Sequence, residues 1–331
     1  MGLAACLACL TFIATAQTTV TRPAMGTPWT VTVYAADTTQ ARRAIDSAFA
    51  RIEAIEQVAS DYRADSELNQ LTRLPVRQYH RVSDDLLHLL TVSLELSRHS
   101  AGAFDPTVGP LTKLWRRAIR QQQFPTEQAI AAARTRVGSK HVRLRRGGRV
   151  WLARDSMQLD LGGIAKGYAL DAAGAVLQHL GITSYLIDGG GDLLLGAPPT
   201  GRASWRVTTP AGPVDTSRVA IATSGASYRY LEHDGRRYSH IVDPRTGVGV
   251  TRPESVTVFA PTATVADGLA SALSVLDQRR AQRLLRHYPG AFHLRPRPLS
   301  LVSPAGSLRR RAWAATPRRR ASASRPCRKS P

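Results

Sequence analysis

The order of strand-like and helix-like segments is the feature that most constrains the fold of this chain. Residues 28–35 place Val31 and Val33 between polar residues, as in a half-buried strand. Residues 38–60 then repeat apolar residues at helical spacing, with Thr38 or Thr39 as the cap. Further strand and helix patterns follow as far as residue 288 without a regular strand–helix–strand alternation. This order predicts an α+β fold rather than a doubly wound parallel sheet.

The N-terminal segment has the pattern of an export signal. Residues 3–14 are almost wholly apolar, and Ala14, Thr15 and Ala16 form an A-x-A cleavage pattern. The apolar run is shorter than the roughly 20 residues that a membrane-spanning helix needs. We therefore predict a signal peptide over residues 1–16. No Lys or Arg precedes the run, and "LAAC" at residues 3–6 is similar to a lipobox, so a lipidated form remains an alternative.

The positive charge is concentrated at the other end of the chain. Residues 295–331 hold eleven of the 45 Lys and Arg residues and no acid, which is over half of the net charge of +21. This segment is rich in Arg, Pro, Ser and Ala and has no periodicity, so we expect it to be a disordered tail. No nucleic-acid-binding motif accompanies the basic residues, and we expect no nucleic-acid partner. All three cysteines lie in the two terminal segments. The part of the chain between these segments has no cysteine, which excludes a disulfide framework there.

A glycine-rich stretch, "LDLGGIAKGYALD" at residues 159–171, runs from an apolar strand pattern into a helix pattern. Gly162 and Gly163 allow close approach to the main chain, a helix N-terminus offers free N–H groups, and Lys166 is able to meet an anion. The stretch matches neither the P-loop nor the G-x-G-x-x-G pattern. Two interpretations stay open at this point: a phosphate site, or a helix-entry turn with a surface lysine.

A second candidate lies on the helix predicted from "TATVADGLASAL". Asp267 and Ser271 are four residues apart and share a helix face. A carboxylate and a hydroxyl at this spacing supply two oxygen ligands for a hard cation such as Mg²⁺. The alternative is an Asp that only stabilises the N-terminus of its helix.

Three weaker motifs complete the set. Residues 25–27, Met-Gly-Thr, predict a turn before the first strand, and residues 102–115 predict a Pro/Gly-rich loop in which Phe104 stands beside Asp105. In "HIVDPRTG", His240 precedes a turn, and histidine is a residue type able to titrate near neutrality.

Taken in order, these motifs resemble the ApbE family, the FAD:protein FMN transferases of bacterial envelopes. The matching stretches also include "SDYRADSELNQL" and "YLIDGGGDLLLG", and the resemblance covers roughly residues 24–293. It implies an ApbE-like domain over residues 20–294, with T-fold-like mixed sheets and packed helices around a flavin-binding cleft. The chain departs from the family where "GAFHLRPRP" replaces a final apolar strand, so we expect that strand to be incomplete.

The resemblance also implies the residues of the site. The metal, Mg²⁺, is expected on the carbonyl of Gly163 and the side chains of Asp267 and Ser271, where the family usually has Thr in place of Ser271. The expected FAD contacts are Met25, Tyr62, Ala103, Phe104, Asp105, Asp160, Lys166, His240 and Ile241. Three of these residues have expected catalytic roles: His240 as the base, Asp267 as the next candidate for it, and Lys166 as the stabiliser of phosphate charge.

The implied reaction is Mg²⁺-dependent transfer of the FMN part of FAD to a Ser or Thr hydroxyl of an acceptor flavoprotein, with release of AMP. Two alternatives stay open: hydrolysis of FAD to FMN and AMP, and FAD binding without catalysis. The implied acceptors are exported flavoproteins such as subunits of respiratory complexes. The implied location is the periplasm, with association to the inner membrane if the chain is lipidated.

Overall fold

A β-hairpin opens the part of the chain that the structure describes. The computed structural model describes residues 15–225, 229–252 and 254–294. Strand β1 (Ala16–Ala24) pairs antiparallel with β2 (Thr27–Ala35), and Met25 and Gly26 form the turn with φ of 48° and 77°. Positive φ at both central residues is typical of a type I′ hairpin turn. The prediction that residues 25–27 precede the first strand is therefore wrong, because β1 comes before them.

The described residues form fourteen strands. After β1 and β2 these are β3 (Tyr79–Arg81), β4 (Val142–Arg145), β5 (Arg149–Leu152), β6 (Ser184–Gly189), β7 (Leu193–Leu195), β8 (Trp205–Thr209), β9 (Gly212–Thr216), β10 (Val219–Ser224), β11 (Tyr230–His233), β12 (Arg236–Ser239), β13 (Val256–Ala260) and β14 (Phe292–Leu294). Seven of them make one antiparallel sheet in the order β1-β2-β6-β7-β10-β13-β14. Smaller sheets are β3-β5-β4, β8-β9 and β11-β12.

Eight α-helices occur in the same ranges. They are α1 (Thr38–Ala59), α2 (Glu67–Leu71), α3 (Asp84–His99), α4 (Gly109–Gln121), α5 (Glu127–Arg134), α6 (Ala165–His179), α7 (Ala263–Val275) and α8 (Gln278–Leu285). The α+β prediction is confirmed. None of these helices is both long and apolar enough to cross a bilayer.

Helices α1, α6 and α7 pack together and position the site. Their buried side chains, such as Ile45, Leu170 and Leu269, belong to the largest hydrophobic cluster of the described residues, called the main core below. Helix α1 packs against α6, and α7 packs against both α6 and the strands β10 and β13. Asp171 on α6 fixes the start of α7, because its carboxylate accepts hydrogen bonds at 2.8 Å from the backbone N–H groups of Ala263 and Thr264. The N-terminus of α7 is thereby capped from the neighbouring helix rather than only from its own sequence.

Three local predictions need correction or qualification. The cap of α1 is Asp37, whose side chain accepts from Thr39 N, rather than Thr38 or Thr39. Residues 109–115 begin helix α4 instead of continuing a loop, since Pro110 stands in the first turn, where a helix tolerates proline. The last strand among the described residues, β14, is three residues long and leaves Phe292 51% exposed. The tail 295–331 and residues 1–14 of the signal-peptide prediction lie outside the described residues.

Candidate active site

Three oxygen-bearing groups meet where the entry to α6 crosses α7. A Cβ built on Gly163 would lie 2.7 Å from Ser271 Oγ and 3.3 Å from Phe104 Cε2. One turn earlier on α7, the Asp267 carboxylate accepts a hydrogen bond from Gly167 N at 3.0 Å. The structure thus brings Gly163, Asp267 and Ser271 together, and a side chain at residue 163 would crowd Ser271 and Phe104.

The hydrogen bonds at this crossing leave one oxygen of each of the three groups without a described donor. The donor that usually serves a carbonyl at position 163 is the N–H of residue 167, but here that N–H is directed at Asp267 Oδ2. Within the described ranges no donor reaches the Gly163 carbonyl or Asp267 Oδ1, and Ser271 Oγ makes no hydrogen bond. By contrast, Ser274 on the same helix donates to Ala270 O at 2.8 Å.

A carbonyl, a carboxylate and a hydroxyl are the oxygen ligands that a hard divalent cation prefers, so the residues present fit Mg²⁺. In the described part of the chain, no three or more His, Cys, Asp or Glu residues are grouped so that they could hold a metal ion. The set at Gly163 contains one residue of these types, Asp267, beside a carbonyl and a hydroxyl.

Burial and neighbouring charges shift the pKa values of Asp267 and Lys166. Its carboxyl is buried, and this burial raises its pKa to about 7, although the neighbouring Lys166 opposes the rise. Lys166 forms an ion pair with Asp192, which is itself buried and also accepts from Thr223 N at 3.0 Å. Burial alone would lower the pKa of Lys166, but the charges of Asp192, Asp267 and Asp188 raise it. Lys166 is therefore a charged group held beside the oxygen cluster.

Asp160 lies three residues before Gly163 and belongs to a second polar cluster. Its Oδ1 accepts from Gly162 N at 2.8 Å, and its Oδ2 accepts from Thr112 Oγ1 at 2.7 Å and from Arg116 Nη2 at 3.1 Å. Arg116 also pairs with Asp61, and its guanidinium carbon lies 4.4 Å from the centre of the Tyr62 ring. Tyr62 is 69% exposed.

The predicted contacts of residues 103–105 are mostly buried. Phe104 packs in the core and reaches the Gly163 site, and Ala103 is buried beside it. Asp105 Oδ1 accepts from Thr107 N at 2.8 Å and Asp105 Oδ2 accepts from Ser139 N at 2.9 Å, so its carboxylate joins two loops. Burial raises the pKa of Asp105. A direct contact of Asp105 with FAD stays a prediction.

The hairpin turn of Met25 approaches the glycine turn between β6 and β7. Met25 N donates to Glu56 Oε2 at 2.8 Å, and its side chain packs against the main core. A Cβ on Gly190 would lie 2.5 Å from Thr27 Oγ1, so the two turns are in contact. The "MGT" and "GGGD" motifs, far apart in sequence, therefore meet, and Asp192 of the second motif pairs with Lys166.

His240 stands at the start of the segment after β12. Its Nδ1 lies 3.2 Å from the carbonyl oxygen of Arg229, and burial lowers its pKa, with the charges of Arg229 and Arg116 acting in the same direction. The imidazole is therefore neutral at pH 7, and its Nε2 has no hydrogen-bond partner among the described residues. Ile241 is half-buried against the main core. The FAD contacts of both residues stay predictions.

Two surface cavities of about 640 Å³ lie elsewhere on the described surface. One lies along Glu67, Ser83 and Gly148, and the other between α1 and α6. Neither is lined by a predicted site residue, and the flavin-binding cleft stays a prediction.

Sequence reasoning missed Arg116, Asp61, Thr112 and Asp192. Asp61 and Asp192 lie in stretches that were matched to the family, but neither was predicted to be a site residue. Thr112 and Arg116 required the recognition of α4, since residues four apart on a helix share a face.

The fold and the oxygen cluster together define an antiparallel α+β protein with an oxygen-lined site between two helices. The sequence matches the ApbE family over residues 25–293, and the chain belongs to this family. It is 34% identical over 285 residues to a Klebsiella pneumoniae protein named FAD:protein FMN transferase, which covers 82% of this chain and 81% of that protein. A protein of the same name from Treponema pallidum is 35% identical over 291 residues, with 80% of each chain covered.

Solved structures agree with the family assignment. The apo form of the Pseudomonas stutzeri flavinyl transferase ApbE has a TM-score of 0.74 and 30% identity, covering 85% of this chain and 95% of that one. The flavin transferase ApbE of Vibrio cholerae has a TM-score of 0.75 and 27% identity, covering 85% of this chain and 97% of that one. The predicted ApbE-like fold is confirmed.

Proposed function

We propose that this protein is an FAD:protein FMN transferase that uses Mg²⁺. The observation that carries the proposal is the set of unused oxygens on Gly163, Asp267 and Ser271, next to the charged Lys166. The names of relatives that align with most of the chain support the same activity. We expect the protein to act in the periplasm on exported flavoproteins, such as flavin-carrying subunits of respiratory complexes.

In the proposed reaction, the hydroxyl oxygen of an acceptor Ser or Thr attacks the phosphorus on the FMN side of FAD. The new oxygen–phosphorus bond replaces the bond to the AMP phosphate, AMP leaves, and the hydroxyl proton passes to a base. His240 is our choice of base, because its lowered pKa keeps it neutral and its Nδ1 faces a carbonyl, which leaves Nε2 to accept the proton.

The chain's other groups bind and orient the phosphates. Mg²⁺ held by Gly163 O, Asp267 and Ser271 would neutralise charge on the pyrophosphate oxygens. The ammonium of Lys166, fixed by Asp192, adds a positive charge that needs no reorganisation during the reaction. The buried Phe104 beside Gly163 limits the access of water to this point.

The test is transfer to an acceptor. The purified protein is incubated with FAD, MgCl₂ and the periplasmic domain of a flavin-carrying respiratory subunit, and the acceptor is examined for flavin fluorescence after denaturing electrophoresis. We expect a fluorescent acceptor band and one AMP for each FMN attached. The band should disappear with EDTA and with Asp267→Asn, and it should persist in Ser274→Ala, a control on the same helix.

Two outcomes would contradict the proposal. A dark acceptor with wild-type protein that binds FAD would refute transfer. Free FMN and AMP formed at the same rate without an acceptor would instead assign FAD hydrolysis to the site.

A further inference from the structure

Arg116 joins two residues of the predicted flavin site and a third residue, Asp61, although it belongs to none of the matched stretches. Its Nη2 donates to Asp160 Oδ2 at 3.1 Å, its Nη1 pairs with Asp61, and its guanidinium lies over the Tyr62 ring at 4.4 Å. Asp160 and Tyr62 are both expected FAD contacts. The guanidinium of Arg116 thus contacts the buried carboxylate of Asp160, in the glycine-rich stretch 159–171, and the exposed ring of Tyr62.

Helix α4 holds this guanidinium in place from two sides. Thr112 lies one turn before Arg116 and donates to the same oxygen, Asp160 Oδ2, at 2.7 Å. The neighbouring Trp115 is fully buried, and its Nε1 donates to Gly247 O at 2.9 Å. The backbone at residue 116 is therefore anchored to the core, so its side chain is aimed by the fold.

The electrostatics make Arg116 the common partner of two buried acids. Burial raises the pKa of Asp61 and the nearby Asp160 raises it further, while Arg116 lowers it. Burial would lower the pKa of Arg116 itself, but the charges of Asp160 and Asp61 raise it. Without the guanidinium, two carboxylates would remain close together in a buried place with one fewer cation, an arrangement that is strongly unfavourable.

In contrast to the two buried acids, the Tyr62 side chain has few contacts with the described residues. The ring is 69% exposed, and its described ring contact is the one with Arg116. A guanidinium stacks well on one face of an aromatic ring and leaves the other face free for a second planar group. An exposed ring fixed in this way loses less conformational entropy when it binds a ligand.

We propose that Arg116 is a positioning residue for FAD, which rests on the proposed function. Arg116 orients the Tyr62 ring so that a planar part of FAD is able to stack on it. Arg116 also keeps the Asp160 carboxylate oriented within the glycine-rich stretch 159–171. It acts through these two residues and does not itself take part in the transfer of FMN. Its loss therefore weakens FAD binding and leaves turnover at saturating FAD largely intact.

The experiment compares Arg116→Met and Arg116→Lys with Arg117→Met, a control at the next residue of α4, which is exposed. The dissociation constant for FAD is measured from quenching of flavin fluorescence with MgCl₂ present, and transfer is measured at saturating FAD. We expect Arg116→Met to raise Kd by about tenfold or more, equal to about 1.4 kcal/mol. Arg116→Lys should fall between Arg116→Met and wild type, because it keeps the charge but loses the planar fork. Arg117→Met should match wild type.

A double-mutant cycle with Tyr62→Leu separates positioning from a general loss of structure. If Arg116 acts partly through Tyr62, the two substitutions together should weaken FAD binding by less than the product of their separate effects. Thermal unfolding identifies any variant that fails to fold, in which case Arg116→Lys supplies the test.

Folded Arg116→Met or Arg116→Lys with a Kd within about twofold of wild type would overturn the proposal. A loss confined to turnover would also overturn it, and effects on Kd that simply multiply in the double variant would refute the role of Tyr62. Because binding is measured separately from transfer, a wild-type protein that binds FAD but transfers no FMN would refute the proposed function and leave the test of Arg116 intact.

Discussion

Substitution of Gly167 by Ala tests the helix crossing on which the site depends. Gly167 lies on α6 against the first turn of α7, and an added Cβ would lie 2.6 Å from the carbonyl carbon of Ala263 and 2.9 Å from Asp267 Cβ. Both atoms belong to the backbone or are bonded directly to it, so neither is able to rotate away. The helices have to separate, and the bond from Gly167 N to Asp267 lengthens or breaks.

The expected magnitude comes from two opposing effects. Alanine is favoured over glycine in a helix interior by about 0.8–1.0 kcal/mol. Overpacking of a well-packed core costs about 1–3 kcal/mol, and more where the backbone must move. The difference is about 0–2 kcal/mol, and because the contact is with backbone atoms we expect Gly167→Ala to lower the free energy of unfolding by about 2 kcal/mol. FMN transfer should fall by about 100-fold, because Asp267 is displaced.

The assay is urea unfolding followed by tryptophan fluorescence, together with FMN transfer at saturating FAD. Gly174→Ala on the same helix is the control: its Cβ would lie 2.6 Å from Leu194 Cδ2, the end of a flexible side chain that is able to move. We expect this control to lose less stability and to keep its activity. A Gly167→Ala variant that is more stable than wild type and fully active would refute the close crossing of α6 and α7.

Four further predictions concern the oxygens of Gly163, Asp267 and Ser271 and the base. Ser271→Ala should leave the melting temperature nearly unchanged, since Ser271 Oγ makes no hydrogen bond with the described residues, but FMN transfer should fall at least about tenfold. Ser271→Thr should keep the transfer activity, and equal activity of wild type and both variants would contradict the metal assignment. Burial raises the pKa of Asp267 to about 7, so the metal-free folded protein holds a proton that the unfolded chain loses near pH 4, and its stability should fall as pH rises from about 4 to 7. Mg²⁺ replaces that proton, so the rise in melting temperature with MgCl₂ should be larger at pH 8 than at pH 6, and equal rises would show that Asp267 does not bind the metal. His240→Gln should lower kcat for FMN transfer at pH 7.5 by about 100-fold or more, and an unchanged kcat would remove His240 as the base.

The sequence was informative where a local pattern alone determines the geometry. The four-residue spacing of Asp267 and Ser271 places both on one face of α7 once that segment is helical. The glycine motif led correctly into α6, because its apolar residues recur at helical spacing. The Asp-Gly pair at residues 234 and 235, a dipeptide typical of hairpin turns, joins β11 and β12.

The parts that were missed depend on tertiary contacts or on ambiguous signals. Strand β1 lacks a clear apolar alternation because it is an edge strand with few buried residues. Helix α4 was hidden by Gly109 and Pro110, which are typical of loops but also of a first helical turn. No local pattern shows that Lys166 pairs with Asp192 or that Arg116 joins Asp61 to Asp160, since these partners are 26, 55 and 44 residues apart.

The most direct test of the central claim is a crystal structure of the protein with FAD and Mn²⁺ in place of Mg²⁺. The account predicts an anomalous peak at coordination distance, about 2.0–2.2 Å, from the Gly163 carbonyl, an Asp267 oxygen and Ser271 Oγ, with FAD phosphate oxygens on the same ion. A peak bound elsewhere, or FAD phosphates bound away from the crossing of α6 and α7, would contradict it.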